Sequence, residues 1–194
     1  MICWISLRRP SFQRFLLVDR DGVINRDRPD YVKHRHEFTF YPDALEALRW
    51  VHARGVGVIV VSNQSALHRG LMPWDAFFDL HDHMVREIGA FGGRIDAAFY
   101  CPHRPEEGCS CRKPAPGMIL AAAAICGLSL AETPFVGDKL TDVAAAENAG
   151  CPPVLLRRTE DAVEAPRHVP VYNTFFDAVR GLFDTAGVGN GAAR

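Results

Sequence analysis

Five times along the chain, an apolar run too short for a helix is followed by a stretch with helical periodicity. The pairs are 15–19 with 42–55, 56–63 with 73–93, 95–100 with 116–127, 133–138 with 140–150, and 153–158 with 173–186. Parallel neighbours in a sheet need a crossover, and a helix supplies one while covering a face of the sheet. Runs such as VGVIVVSN lack polar alternation, which predicts strands buried on both faces. In 42–55, Leu45, Leu48 and Val51 share a face, Pro42 and Asp43 suit a first turn, and Gly55 suits the end. In 73–93, Phe77, Leu80, Met84 and Ile88 do the same before Gly92-Gly93. The expected fold class is α/β, a Rossmann-like three-layer α/β/α arrangement around a central, mainly parallel sheet. Residues 1–14 read as a loose lead-in, 15–186 as one domain, and 187–194 as a disordered tail.

Bulk properties exclude several function classes. The 194 residues carry a net charge of −1, so no basic field points to nucleic acid. No stretch approaches the ~20 apolar residues that span a bilayer. The Arg pair at 8–9 follows the opening apolar patch instead of preceding it, which is not the order of a signal peptide. A cytoplasmic monomer is expected, with no nucleic-acid or membrane partner.

Polar clusters fall at three strand ends: Asp19 with Asp21, Ser62 with Asn63, and Gly137 with Asp138. In parallel α/β sheets, functional groups gather beyond the carboxyl ends of the strands. Asp19 and Asp21 are two apart, so in extended backbone both side chains leave one face. Buried together they repel, unless a divalent cation such as Mg²⁺ sits between them. Asp21-Gly22 alone would signal only a turn.

A second cluster lies in CPHRPEEGCSC, where Cys101, His103, Cys109 and Cys111 place four metal-ligand types within 11 residues. They fit a tetrahedral Zn²⁺. The spacing C-x-H is not the common finger spacing, and free thiols or a Cys109–Cys111 contact remain open on the residues alone.

DRDGVIN, VSNQSALHRG, CRKPAPGM and VGDKLTD, in that order, resemble the four motifs of the haloacid-dehalogenase-like (HAD) phosphatases. The cysteine insertion between the second and third is similar to the branch holding the heptose-bisphosphate and histidinol-phosphate phosphatases. The resemblance covers about residues 15–158. It implies an Mg²⁺-dependent phosphatase with a structural Zn²⁺ loop at 101–111 and no large cap domain. Asp19 would be the nucleophile, and Asp21 the general acid and base, which requires its pKa to be raised or its proton shared in the substrate complex. Ser62, Asn63, Gln64 and Ser65 would hold phosphoryl oxygens beside Lys113. Asp138 would hold Mg²⁺ with Asp19 and the main-chain carbonyl of Asp21, and Asp142 would stiffen that site or simply start a helix. Arg112 and Lys139 would face the substrate, with Asp27, Arg28 and Tyr31 at its remote end. That implies a small phosphorylated partner, a sugar bisphosphate, with histidinol phosphate or a metal-binding scaffold without chemistry as rivals. Val23 and Ala66 depart from the motifs, where Thr and Gly are usual, and the 26–31 loop is one residue longer than the pattern.

Overall fold

Alternate residues of each central strand enter opposite cores, which is why those runs carry no polar positions. The computed structural model describes residues 1–6, 12–158 and 164–184. Its strands are β1 (Ile2–Ile5), β2 (Arg14–Val18), β3 (Val56–Asn63), β4 (Ala97–Cys101), β5 (Phe135–Gly137), β6 (Pro153–Leu156) and β7 (Val171–Tyr172). The helices are α1 (Pro42–His52), α2 (Trp74–Ala90), α3 (Gly117–Cys126), α4 (Leu140–Ala149) and α5 (Phe175–Phe183). The strands form one sheet in the order β1-β4-β3-β2-β5-β6-β7. Every pairing is parallel except β1 with β4.

Leu16, Val18, Val58, Val60 and Val136 point into a core built with α1, α2 and α5. Leu17, Ile59, Val61, Phe99 and Phe135 point into a second core closed by α3 and α4. Helices therefore cover both faces, and the expected three-layer architecture holds. Helix ends fall slightly inside the expected limits. Residues 185–186 of the last expected helix and the whole tail at 187–194 lie outside the described residues. Among the described residues, no helix is long and apolar enough to cross a membrane.

The expectation of a loose lead-in is corrected at its start. Residues 2–5 form an edge strand in register with β4, pairing Ile2 with Tyr100 and Ile5 with Ala97. Four residues carry too little periodicity to announce a strand. The tertiary contact decides: Ile2 and Trp4 pack on the larger core, and the Trp4 ring stands edge-on to His81 at 4.8 Å.

That histidine is buried on α2 and bonded through Nδ1 to the Tyr100 hydroxyl at 2.8 Å. Burial first, and then the nearby Arg20 charge, push its pKa down to about 4, against the opposing pull of Asp82. An unfolded histidine binds its proton near pH 6.5. His81 thus contributes stability that is complete above about pH 6.5 and is lost as pH falls toward 4, by up to ~3 kcal/mol. Thermal melts from pH 7 to 4 are expected to show a steeper acid loss in the wild type than in His81→Phe. Parallel curves would remove His81 as the cause.

Candidate active site

The chain lays down β2, β3 and β4 to one side and then returns to place β5 and β6 on the other. The turn of direction beside β2 leaves a crevice beyond the strand ends. Asp19 follows β2, Gln64 follows β3, Asp138 follows β5, and the cysteine segment continuing from β4 leads to Lys113. Residues far apart in sequence therefore meet at one lip of the sheet.

Asp19 is buried, and its Oδ1 lies 3.0 Å from Lys113 Nζ. Lys113 is also buried, reaching Asp142 Oδ1 at 2.7 Å and donating to the Val61 carbonyl at 2.9 Å. Burial works against the lysine's charge, but Asp142 and Asp19 outweigh it and hold its pKa up. Burial raises the pKa of Asp19 to about 6, although Lys113 pulls it down. Asp142 Oδ2 accepts the main-chain N–H groups of Asp138 at 3.2 Å and Lys139 at 3.0 Å. It thus starts α4 and braces the site, combining both readings of its position.

Asp138 stands against Gly22. A Cβ on Gly22 would lie 2.0 Å from Asp138 Oδ2, and the glycine has φ +84°, so both space and backbone demand Gly. Asp138 Oδ1 is buried without a partner, and burial followed by the Asp19 charge pushes the pKa of this carboxyl to about 8.

Asp21 is held ionised in the absence of substrate. Its carboxylate is gripped by the buried Arg20 guanidinium at 2.9 Å, by Asn25 Nδ2 at 2.8 Å and by Gln64 Nε2 at 2.7 Å. Burial favours the neutral acid, but Arg20 and the two amides outweigh it and hold the pKa below the usual range. The Asn63 amide donates to the Lys113 carbonyl and accepts the Lys113 N–H, both at 3.1 Å. Its side chain therefore clamps the Lys113 backbone at the wall of the site.

Asp19, Asp21, Asn63, Lys113 and Asp142 line a cleft of about 430 Å³. Ser62, Gln64 and Ser65 line it, as do Arg28, Tyr31, Arg112 and Lys139. Lys139 Nζ and Asp27 Oδ2, 2.7 Å apart, tie the 26–31 loop to the start of α4. Arg28 pairs with Asp30, and Tyr31 takes φ +68°, the single positive φ outside glycine among the described residues. Ala66 therefore fits where the motif has Gly without left-handed strain. Sequence reasoning missed Arg69, a further cation of the cleft wall. Its N–H bonds the Ser65 carbonyl at 3.0 Å, so its place four residues beyond Ser65 was the available signal.

Beside the cleft, the cysteine segment closes on itself. Cys101 Sγ lies 3.4 Å from His103 Nδ1 and 3.6 Å from Cys109 Sγ. Cys111 Sγ lies 3.4 Å from Cys101, 3.3 Å from His103 Nδ1 and 3.5 Å from Cys109. A tetrahedral ion with bonds of about 2.0–2.3 Å needs its ligand atoms about 3.5 Å apart, so the four fit such an ion. The Arg112 guanidinium donates to the His103 carbonyl at 3.1 Å, which ties the loop to the cleft.

A family model described as HAD-hydrolase-like matches residues 110–178. The D-glycero-β-D-manno-heptose-1,7-bisphosphate 7-phosphatase of Bordetella bronchiseptica is 41% identical over 144 residues, 74% of this chain and 80% of that protein. The enzyme of the same name from Pseudomonas aeruginosa is 35% identical over 84% of this chain and 91% of its own length.

This chain belongs to the HAD-like phosphatases of the heptose-bisphosphate branch.

The crystal structure of the B. bronchiseptica D,D-heptose 1,7-bisphosphate phosphatase, complexed with magnesium and phosphate, superposes with a TM-score of 0.84. The two are 36% identical, with 89% of this chain and 99% of that one covered.

The acidic groups of this HAD-like phosphatase suit a hard cation. Oxygens of Asp19, Asp138 and Asp142 lie within 4.8 Å of one another. Lys113 supplies one positive charge among three carboxylates, and a buried oxygen of Asp138 has no partner, an arrangement that suits a hard divalent cation.

Proposed function

We propose that this HAD-like phosphatase removes the 7-phosphate from a D-glycero-D-manno-heptose 1,7-bisphosphate through a phosphoryl group carried on Asp19. The carrying observation is the buried Asp19 carboxylate 3.0 Å from Lys113 at the floor of a cation-walled cleft. In the first half-reaction a carboxylate oxygen of Asp19 attacks phosphorus, and the bond from phosphorus to the sugar oxygen breaks. Asp21 gives that oxygen its proton. In the second, Asp21 takes a proton from water, which attacks phosphorus and releases phosphate and free Asp19.

Arg20, Asn25 and Gln64 hold Asp21 ionised, which suits the second half-reaction. A phosphate dianion arriving beside it raises its proton affinity, which suits the first. Lys113 and the Ser62 hydroxyl face the phosphoryl oxygens as negative charge spreads over them. Asp19, Asp138 and the main-chain carbonyl of Asp21 would hold Mg²⁺, with Asp142 behind them. Bound there, Mg²⁺ offsets the charge of the transferring phosphoryl group.

Arg28, Arg69, Arg112 and Lys139 supply positive charge at the mouth for a second phosphate, which favours a bisphosphate over histidinol phosphate. Relatives carry both anomer names: the B. bronchiseptica enzyme is named for the β sugar, and a Campylobacter jejuni one, 38% identical over 75% of this chain, for the α sugar. The deciding experiment measures phosphate release with Mg²⁺ from both anomers, histidinol phosphate, fructose 1,6-bisphosphate and simple monophosphates. A preference of at least about tenfold in kcat/KM for a heptose bisphosphate is expected. A preference for histidinol phosphate would overturn the substrate.

Cys101, His103, Cys109 and Cys111 would hold Zn²⁺ as a structural ion that aims Arg112 and Lys113. Cys109→Ser is expected to lose zinc and to melt several degrees lower, about 3 °C for each kcal/mol lost. Metal analysis and calorimetry check this. Full zinc content at an unchanged midpoint would sink it.

A further inference from the structure

Arg158, two residues beyond the end of β6, lines no part of the cleft yet reaches the loop that carries Asp21. Its Nε donates to the Gly22 carbonyl and its Nη2 to the Val23 carbonyl, both at 2.9 Å. The same guanidinium grips Asp43 of α1 at 3.0 and 3.1 Å and lies 3.6 Å from the Tyr41 ring centre. Asp43 in turn accepts the Phe175 N–H at the start of α5, at 2.7 Å. The side chain of Arg158 is 13% exposed, so these bonds are largely shielded from water.

The neighbouring Ile24 carbonyl accepts the Tyr41 N–H at 3.0 Å. Three successive carbonyls, at residues 22, 23 and 24, are thus held by groups outside their own turn. On its other side Gly22 presses against the Asp138 carboxylate. The turn is clasped between Asp138 and Arg158, with Asp21 immediately before it. A planar fork with five donors can serve two carbonyls and a carboxylate at once, whereas a lysine ammonium cannot match that pattern.

We infer that Arg158 is a positioning residue of the phosphatase reaction: by holding the Gly22 and Val23 carbonyls it fixes where Asp21 stands relative to Asp19 and Asp138. The inference rests on the reading of Asp21 as acid and base given above. It assigns Arg158 no contact with substrate. A displacement of about 1 Å at a reacting group can cost up to about 100-fold in rate, which is the scale such a clasp protects against.

The test uses Arg158→Met and Arg158→Lys in the full-length protein, well below their melting midpoints, with two readouts. In amide hydrogen exchange, Gly22, Ile24 and Asn25 are expected to exchange at least about tenfold faster in Arg158→Met, with the protection of β3 unchanged. In steady-state kinetics, kcat is expected to fall at least about tenfold while KM moves less than about threefold, and Arg158→Lys is expected to fall between. A purely structural role would lower the midpoint and leave the kcat of the folded enzyme intact. Unchanged exchange overturns the inference, and so does faster exchange with kcat within about twofold of wild type. If Arg158→Met does not fold, Arg158→Lys decides by the same two readouts. If the wild type releases phosphate from no phosphomonoester, the functional reading falls, and the exchange measurement still tests whether Arg158 holds the turn.

Discussion

Asp19→Asn is expected to lower phosphate release by at least about three orders of magnitude while leaving the fold intact. The amide matches the carboxylate in shape but cannot attack phosphorus. The stability side follows from the surroundings of Asp19. Its carboxylate is crowded by burial and by the charges of Asp142 and Asp21, so its pKa stands near 6 despite Lys113. Removing that charge leaves Lys113 still paired with Asp142 at 2.7 Å. The melting midpoint is therefore expected to stay level or rise. Phosphate release, a melt, and a search for a phosphorylated peptide covering residue 19 in quenched reactions check the three parts together. Turnover persisting in Asp19→Asn would end the covalent mechanism.

Lys113→Met is expected to fail in the opposite way, losing both activity and stability. Lys113 is the cation between two buried carboxylates, and its removal leaves Asp19 and Asp142 uncompensated. Breaking a buried pair from one side costs about 3–5 kcal/mol, or roughly 10 °C in a domain of this size. The penalty grows as pH rises through the range where Asp19, raised to about 6 by burial, ionises. Adding Asp142→Asn to Lys113→Met removes one of the charges and is expected to recover part of the stability but none of the activity. Melts of the single and double variants between pH 5 and 8 check this. Equal midpoints for Lys113→Met and wild type would mean that the lysine charge is not what holds the site.

The sites most legible in the sequence are those where an apolar strand stops at a polar residue. Asp19, Ser62 and Asp138 could be placed at one lip because strand order and parallel direction put all such ends together. What stayed hidden was the pairing among neighbours once assembled. Nothing in Asn63 says that its amide spends both bonds on the Lys113 backbone 50 residues away. Nothing in the DRDG run says that Arg20 folds inward onto Asp21, because an arginine ordinarily reads as solvated. Arg158 was invisible for a related reason: its partners lie 136, 135 and 115 positions earlier, and only the closed sheet brings them near. The first strand escaped because four residues at a sheet edge, three half-buried and one exposed, owe their conformation to the strand they lie against.

That first strand has a use beyond packing. Without it, β4 would end the sheet with a bare row of N–H and C=O groups, the kind of border on which separate molecules zip together. Running in the reverse direction to all the others, Ile2–Ile5 pairs β4 and becomes the border itself, a strand of only four residues that offers little length for another chain to pair with. A truncation or bulky fusion that displaced it would bare the longer row of β4 and invite separate molecules to pair there.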